Sequence, residues 1–226
     1  MILPVKTRVK QISKDELFQC NKQEEVITYC QNCSNYKKNH SCPDFAFDAE
    51  SLLAPFTHAT IILTEIDTEP IRENWDRMET SMFASRVLTN YAKKEKKEMH
   101  LASIISMYAF EAVKNEMADR LLELENAFKP AFSLPPGSCT RCEVCTKEQG
   151  KSCRYPDKLR YSLEALGFLV SEIYKEHFQM ELGWAAGELP ECFCTCSVLM
   201  SDKEIDETWL MKRLGDMKLE IMTQTI

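Results

Sequence analysis

The stretch that most constrains this chain is GSCTRCEVCTKEQGKSCRYP, residues 137–156, because it holds four closely spaced cysteines. Two residues separate Cys139 from Cys142, two separate Cys142 from Cys145, and Cys153 follows after seven more. Four thiolates this close can wrap one iron–sulfur cube, and the first three suit a tight ferredoxin-like loop. The spacing therefore predicts a metal site, and a [4Fe–4S] cluster is its first interpretation.

The residues around the loop and the alternative chemistries support a metal site. Gly137 lets the chain turn sharply at the loop entrance, and Pro156 follows the last cysteine closely. Structural zinc is the main alternative, since four-thiolate zinc sites also use cysteine pairs separated by two residues. A disulfide framework fits poorly, because eleven cysteines cannot all pair and the chain opens MILPVKTRVK, with no apolar export segment.

A second cysteine group lies near the N-terminus. Cys30 and Cys33 are separated by two residues, and Cys42 follows after a polar, turn-rich segment that can fold back as a loop. We expect these three residues to form a second metal site. Cys20 and His40 are candidates for its fourth ligand, and the fourth position can also stay open to solvent or substrate. Cys20 can equally be a buried core thiol, and His40 a solvated loop residue.

A third group, Cys192, Cys194 and Cys196, alternates with other residues in a segment expected to be a strand. The period of two places the three thiols on one face of that strand. The first and last lie roughly 13 Å apart at strand rise, so the three cannot easily bind one metal. One of them can instead complete the N-terminal site, or all three can be core thiols.

Five segments together resemble a known family. They are CQNCSNY (30–36), HSCP (40–43), GSCTRCEVC (137–145), GKSCRYP (150–156) and RYSLEALG (160–167). They are similar to the signatures of the cysteine-rich "predicted metal-binding protein" family, a domain of unknown function found mainly in anaerobic bacteria and archaea. The resemblance covers roughly residues 20–175. It implies metal binding within a single domain and supplies no assigned reaction.

The organisation expected from the sequence is one metal-binding α+β (mixed α/β) domain over residues 1–226, with a small sheet packed by long helices. Its parts are an N-terminal cysteine loop (20–43), the second cysteine loop (137–156), and a C-terminal strand and helix (190–226). Apolar periodicity predicts helices over 47–56, 71–97, 101–128, 163–177 and 205–222, with a break possible near the middle of 101–128. It predicts strands over 59–64, 129–134 and 192–196. Ser162 is the expected N-cap of the fourth helix.

Composition narrows the classes of function. The net charge of −7 argues against a general nucleic-acid binder, and no apolar run approaches the length that crosses a bilayer. We expect a cytoplasmic protein, and the density of thiols suggests a reducing, anaerobic cell. Nucleotide-loop, HExxH and Ser–His–Asp patterns are lacking in the sequence, which leaves the common hydrolase and nucleotide-binding classes without support.

Two arginines are candidates for cofactor contacts. A cube held by four thiolates is a net anion, so Arg154 and Arg160, close after the cysteine loop, can stabilise it and raise its potential. They can equally pair with surface carboxylates.

Three functions follow from these sites. Electron transfer through one or two [4Fe–4S] clusters requires a redox partner protein. Catalysis at a three-cysteine cluster requires a small-molecule substrate, with the open iron acting as a Lewis acid in dehydration or desulfuration. A zinc-stapled interaction domain has no redox role. The sequence leaves the oligomeric state open.

Overall fold

The computed structural model describes residues 2–73, 101–182, 189–215 and 218–220. Its strands are β1 (Ile2–Ser13), β2 (His58–Asp67), β3 (Ala131–Leu134), β4 (Cys192–Ser201) and β5 (Lys218–Glu220). Its α-helices are α1 (Lys14–Gln19), α2 (Gln23–Gln31), α3 (Ala49–Leu53), α4 (Glu69–Glu73), α5 (Leu101–Ala127), α6 (Val170–Phe178) and α7 (Glu207–Leu214). No helix in these ranges is both long and apolar enough to cross a membrane.

The strands form one antiparallel sheet in the order β3-β4-β2-β1-β5. The central strand β2 is almost continuously buried because both of its faces are covered. Ile61 and Leu63 belong to the core on one face, whereas Ile62 and Ile66 belong to the core on the other. Mixed helices and antiparallel strands confirm the α+β class.

The long helix α5 covers one face of the sheet. Its buried stripe recurs at helical spacing and consists of Val113, Met117, Leu121 and Leu124. Helix α7 adds Leu210 and Leu214 to the same core. The predicted helix over 101–128 is confirmed, and it runs without the break considered near its middle.

The opposite face of the sheet is covered by α1, α3 and α6. Each contributes buried side chains, including Leu17, Leu53 and Ile173. The cysteine-rich segments continue from this layer. The core on this side therefore links the N-terminal cysteines to the chain that follows the second cysteine loop.

Several predicted boundaries were wrong. The helix predicted over 163–177 is divided into a 3-10 turn, Glu164–Leu166, and helix α6. Gly167 separates them with a φ of +88°, and a side chain there would overlap Gln23. Ser162 does accept a hydrogen bond from the N–H of Ala165, at 3.2 Å, but this bond lies at the 3-10 turn, and the N-cap of the helix is Leu169.

Four other predicted segments differ in extent from the elements that the structure shows, or lie partly outside the described residues. The helix predicted over 205–222 ends at Leu214, and β5 follows it. Residues 20–43 are not one loop, because α2 occupies much of that segment. The helix predicted over 47–56 is the shorter α3, which Asp48 caps. Most of the helix predicted over 71–97 lies outside the described residues; its first three belong to α4.

Glu125, in the last turn of α5, ties together the chain on both sides of the cysteine loop. Its carboxylate accepts hydrogen bonds from the N–H and hydroxyl of Ser133, at 2.9 and 2.8 Å, just before the loop. It also forms a two-point ion pair with Arg160, just after the loop, and both side chains are only 13% exposed. Burial alone would raise the pKa of Glu125, but the bonds from Arg160 and Ser133 outweigh it and lower the pKa.

We expect Glu125→Gln to lower the free energy of unfolding by about 2 kcal/mol at neutral pH, because charge-assisted hydrogen bonds contribute about 1.5–3 kcal/mol. A folded-state pKa below the ordinary 4.5 means that the carboxylate stabilises the fold above that pH. This contribution is lost as the pH falls through the folded-state pKa, so the variant should approach the wild type in acid. Urea denaturation of the variant and the wild type, at neutral and at acid pH, measures the difference in the free energy of unfolding. Glu123→Gln, an exposed change on the same helix, is the control; equal losses in both variants would contradict this role.

Candidate metal centre

The four cysteines of the second loop line one small cavity. Cys139, Cys142, Cys145 and Cys153 all contribute to its wall, and its volume is about 20 Å³. Each of the four is partly exposed. The loop therefore gathers its four thiols around a common space close to the protein surface.

Local turns bring these thiols together. Gly137 has a φ of +68°, a left-handed conformation that glycine adopts without strain, and it turns the chain from β3 into the loop. A 3-10 turn, Thr146–Gln149, then reverses the chain after Cys145. The hydroxyl of Thr146 donates to the carbonyl of Ser152 at 2.8 Å, which holds Cys153 near the other three.

Backbone N–H groups point at two of the four sulfur atoms. The N–H of His40 lies 3.4 Å from the Sγ of Cys145, and the N–H of Tyr155 lies 3.4 Å from the Sγ of Cys153. Burial raises the pKa of Cys139, and the nearby backbone N–H and charge of Arg141 oppose that rise. Donors aimed at sulfur favour the thiolate, which is the form that binds metals.

Residues 39–41 hold the loop against the N-terminal segment. The side-chain amide of Asn39 donates to the carbonyl of Cys139 at 2.7 Å, and the N–H of Cys139 donates to the hydroxyl of Ser41 at 2.8 Å. Asn39 and Ser41 are buried, and Asn39 also accepts from the N–H of Ser41. Both backbone groups of the first loop cysteine are thus fixed by a segment about a hundred residues earlier in the sequence.

His40 lies at the second loop. Its Nε2 is 3.0 Å from the carbonyl oxygen of Lys151 and 3.3 Å from the hydroxyl of Thr146. His40 also lines the cavity of the four cysteines. The ring therefore serves the junction between the two cysteine segments, and its candidacy as the fourth ligand of the N-terminal site finds no support in this position.

The N-terminal cysteines lie at the end of α2 and in the segment that follows it. Cys30 lies in the last turn of that helix, and the N–H of Cys33 donates to its carbonyl at 3.0 Å. Burial raises the pKa of Cys42 to about 11, and the neighbouring Cys33 and Cys30 contribute to the rise. Burial also raises the pKa of Cys30, followed by the charges of Glu164 and Cys33. The three thiols thus lie close enough to affect one another, and a bound cation would reverse these shifts.

Cys20 lies in the core. It follows α1, is only 2% exposed, and belongs to the same core cluster as Leu17 and Ile173. Burial raises its pKa. Its position next to apolar side chains supports the interpretation as a buried core thiol, and its role as a metal ligand stays a prediction without structural support.

Neither of the two predicted arginines lines the cavity of the four cysteines. Arg160 is held by Glu125 and lies over the ring of Phe132, at 4.9 Å from the ring centre. Arg154 donates to the carbonyl of Val144 at 3.3 Å. The cation that does line the cavity is Arg141, which pairs with Asp119 at 2.9 Å. Its place between Cys139 and Cys142 in the sequence is the signal that could have identified it.

A larger cavity of about 180 Å³ lies next to the loop. It shares Cys139 and Arg141 with the first cavity, and its wall also includes Lys114, Lys158 and Arg160. Cations therefore gather on one side of the cysteine loop, although the chain as a whole carries a net charge of −7.

No disulfide joins any of these cysteines. All eleven cysteines, each within the described residues, are free. In the same part of the chain, no three Cys, His, Asp or Glu side chains are grouped tightly enough to hold one metal ion.

Comparison with known proteins identifies the family. The family model "Predicted metal-binding protein (DUF2284)" matches residues 16–200, so the chain belongs to this family of predicted metal-binding proteins. The match extends beyond the third cysteine group. Neither the curated proteins nor the solved structures contain a match to the chain.

We expect Ser41→Ala to lower the free energy of unfolding by about 1–3 kcal/mol, because the buried N–H of Cys139 loses its acceptor. Urea denaturation measures the loss, and hydrogen exchange should show faster exchange of the peptide containing Cys139. Ser34→Ala, at a partly exposed position earlier in the same segment, is the control. Unchanged exchange at Cys139 would show that the two segments do not depend on this contact.

Proposed function

We propose that this member of the DUF2284 family binds a [4Fe–4S] cluster through Cys139, Cys142, Cys145 and Cys153 and serves in electron transfer. The observation that carries the proposal is the common cavity of these four thiols, with backbone N–H groups directed at two of the sulfur atoms. When bound, such a cluster accepts and releases single electrons at a potential that depends on hydrogen bonds to its sulfur atoms and on solvent exposure.

The donor set fits an iron–sulfur cluster. All four donors are soft thiols, and three of them are spaced so that successive sulfur atoms can reach separate irons of one cube. The cavity has about the volume of one water molecule, so the loop must open to admit a cube. All four cysteines are partly exposed, so the loop can open toward solvent without moving the strands of the sheet.

Residues around the loop are suited to a redox site. The N–H groups of His40 and Tyr155 offset negative charge on sulfur, and Arg141 adds a cation at the cavity wall. Two apolar side chains next to the cysteines, Val144 and Tyr155, are 48% and 47% exposed. Exposed apolar surface beside the site favours docking of a redox partner protein. Such docking would bring the partner's redox centre close to the cluster, as electron transfer requires.

Anaerobically purified protein is expected to be brown and to contain about four irons per filled [4Fe–4S] site. Cys142→Ser should lose most of the iron of the second-loop cluster, because it removes one of its four donors. Cys20→Ala, which changes a core thiol, should retain the iron and serves as the control. Metal analysis with electron paramagnetic resonance measures both. A colourless protein with stoichiometric zinc would replace the proposal with the zinc-stapled interaction domain.

A second candidate function comes from the N-terminal group. Besides burial, Cys33 raises the pKa of both Cys30 and Cys42, whereas Cys20, a candidate for the fourth ligand, lies in the core. A cube held by these three thiols would leave one iron open to a small-molecule substrate, which is the arrangement that Lewis-acid catalysis requires. The exposed position of Cys33 gives a substrate access to this site.

The two sites can be distinguished by a variant at the exposed cysteine. We expect Cys33→Ser to remove the iron of the N-terminal site and to leave the iron of the second loop unchanged. Added cyanide should then alter the paramagnetic resonance spectrum of the reduced wild type but not that of Cys33→Ser. A spectrum that cyanide leaves unchanged in both proteins would exclude an open iron.

A further inference from the structure

The third cysteine group forms a close thiol pair on β4. The alternation predicted for this strand is confirmed, because Cys192, Cys194 and Cys196 oppose Asp67, Glu65 and Leu63 in the register with β2 and share one face. The sulfur atoms of Cys192 and Cys194 lie 3.8 Å apart, close enough for one thiol to donate to the other. Both residues are partly exposed.

Strand geometry allows these two sulfur atoms to bond. Residues two apart on a strand have Cα atoms about 6.6 Å apart, since the rise is about 3.3 Å per residue. Disulfides accept Cα separations up to about 6.8 Å. The two Cβ atoms point to the same side of the strand and must approach to about 4 Å, so the bond requires a local bend of the strand end in addition to side-chain rotation.

The start of β4 is held in place by Thr68. Its hydroxyl donates to the carbonyls of Pro190 and Glu191, and its N–H donates to the carbonyl of Glu191 at 3.3 Å. These bonds fix the chain just before Cys192. The thiol pair consequently lies on an anchored strand end rather than in a free loop.

The two thiols differ in environment. Burial raises the pKa of Cys194 to about 12, and the charge and hydrogen bond of Cys192 contribute to the rise. Cys194 therefore stays a thiol at neutral pH, and either thiol can donate to the other across their 3.8 Å contact. Cys192, at the first position of the strand, is the one suited to attack, with Cys194 as its protonated partner.

We propose that Cys192 and Cys194 form a thiol–disulfide exchange site for small-molecule disulfides. The Cys192 thiolate attacks one sulfur of the disulfide, forming a mixed disulfide and releasing the first thiolate, which takes up a proton. Cys194 then loses its proton to solvent and attacks the Cys192 sulfur, so that the second thiolate leaves and is protonated. The protein pair is oxidised by two electrons, and the substrate is reduced to two thiols.

Cys196 provides the matched control on the same strand. It is 6% exposed, and burial raises its pKa above the usual range of a thiol. It lies in the core cluster that also contains Cys20 and Tyr174. Because a disulfide in solution cannot reach this sulfur, Cys196 should take no part in the exchange.

The test uses the full chain, reduced, desalted anaerobically and equilibrated with oxidised glutathione. After alkylation and trypsin digestion, the three cysteines lie on one peptide, residues 176–203. In the wild type, we expect this peptide to have lost two hydrogen atoms through the disulfide and to carry one alkyl group, on Cys196. In Cys196→Ala, we expect the same loss of two hydrogen atoms and no alkyl group. Cys194→Ser should accumulate the glutathione mixed disulfide at Cys192, at least about tenfold more than Cys192→Ser accumulates it at Cys194, because a missing partner thiol leaves the intermediate unresolved.

A wild-type peptide that is alkylated at all three cysteines after equilibration would overturn the proposal, as would a disulfide that includes Cys196. This decisive measurement is made on the wild type, so it does not depend on whether any variant folds. Its outcome is also independent of the proposed function, since iron content reports on the cysteines of residues 137–156, whereas this peptide contains none of them.

Discussion

The carboxylate of Glu125 is the constraint on which the cysteine loop depends. One side chain at the end of α5 binds Ser133 before the loop and Arg160 after it, so the ends of a long irregular segment are held together. Closing such a segment costs chain entropy, and the cost is met here by a largely buried ion pair and two hydrogen bonds on one carboxylate. The thiols within the segment can then be positioned by short local turns.

The second constraint is the contact between the two cysteine segments. Asn39 and Ser41 bind the backbone of Cys139, while the neighbouring His40 directs its N–H at Cys145. The segment that carries Cys42 is thereby part of the wall of the other site. Lys147 of the second loop also donates to the carbonyl of Cys42 at 3.1 Å. A change of charge or position at one group of thiols should therefore alter the position of the other group.

The parts that could be predicted from the sequence are those with local signals. Cysteine spacing located the loop, the apolar run of β2 located the central strand, and the α+β class followed. Strand β1 was missed although Val5 and Val9 on one face alternate with Lys6, Arg8 and Lys10 on the other, which is the period of two that indicates a half-buried strand. The contacts of residues 39–41 with Cys139 join segments about a hundred residues apart, and no local pattern announces such a pairing. The placement of Cys20 in the core depends on the same kind of long-range contact.

The central claim is that four sulfur atoms of one loop share a metal centre. Anomalous diffraction from anaerobically grown crystals, recorded on both sides of the iron absorption edge, tests it most directly. The account predicts a strong iron signal enclosed by the sulfur atoms of Cys139, Cys142, Cys145 and Cys153. An empty position there, or a signal that appears only at the zinc edge, would contradict it.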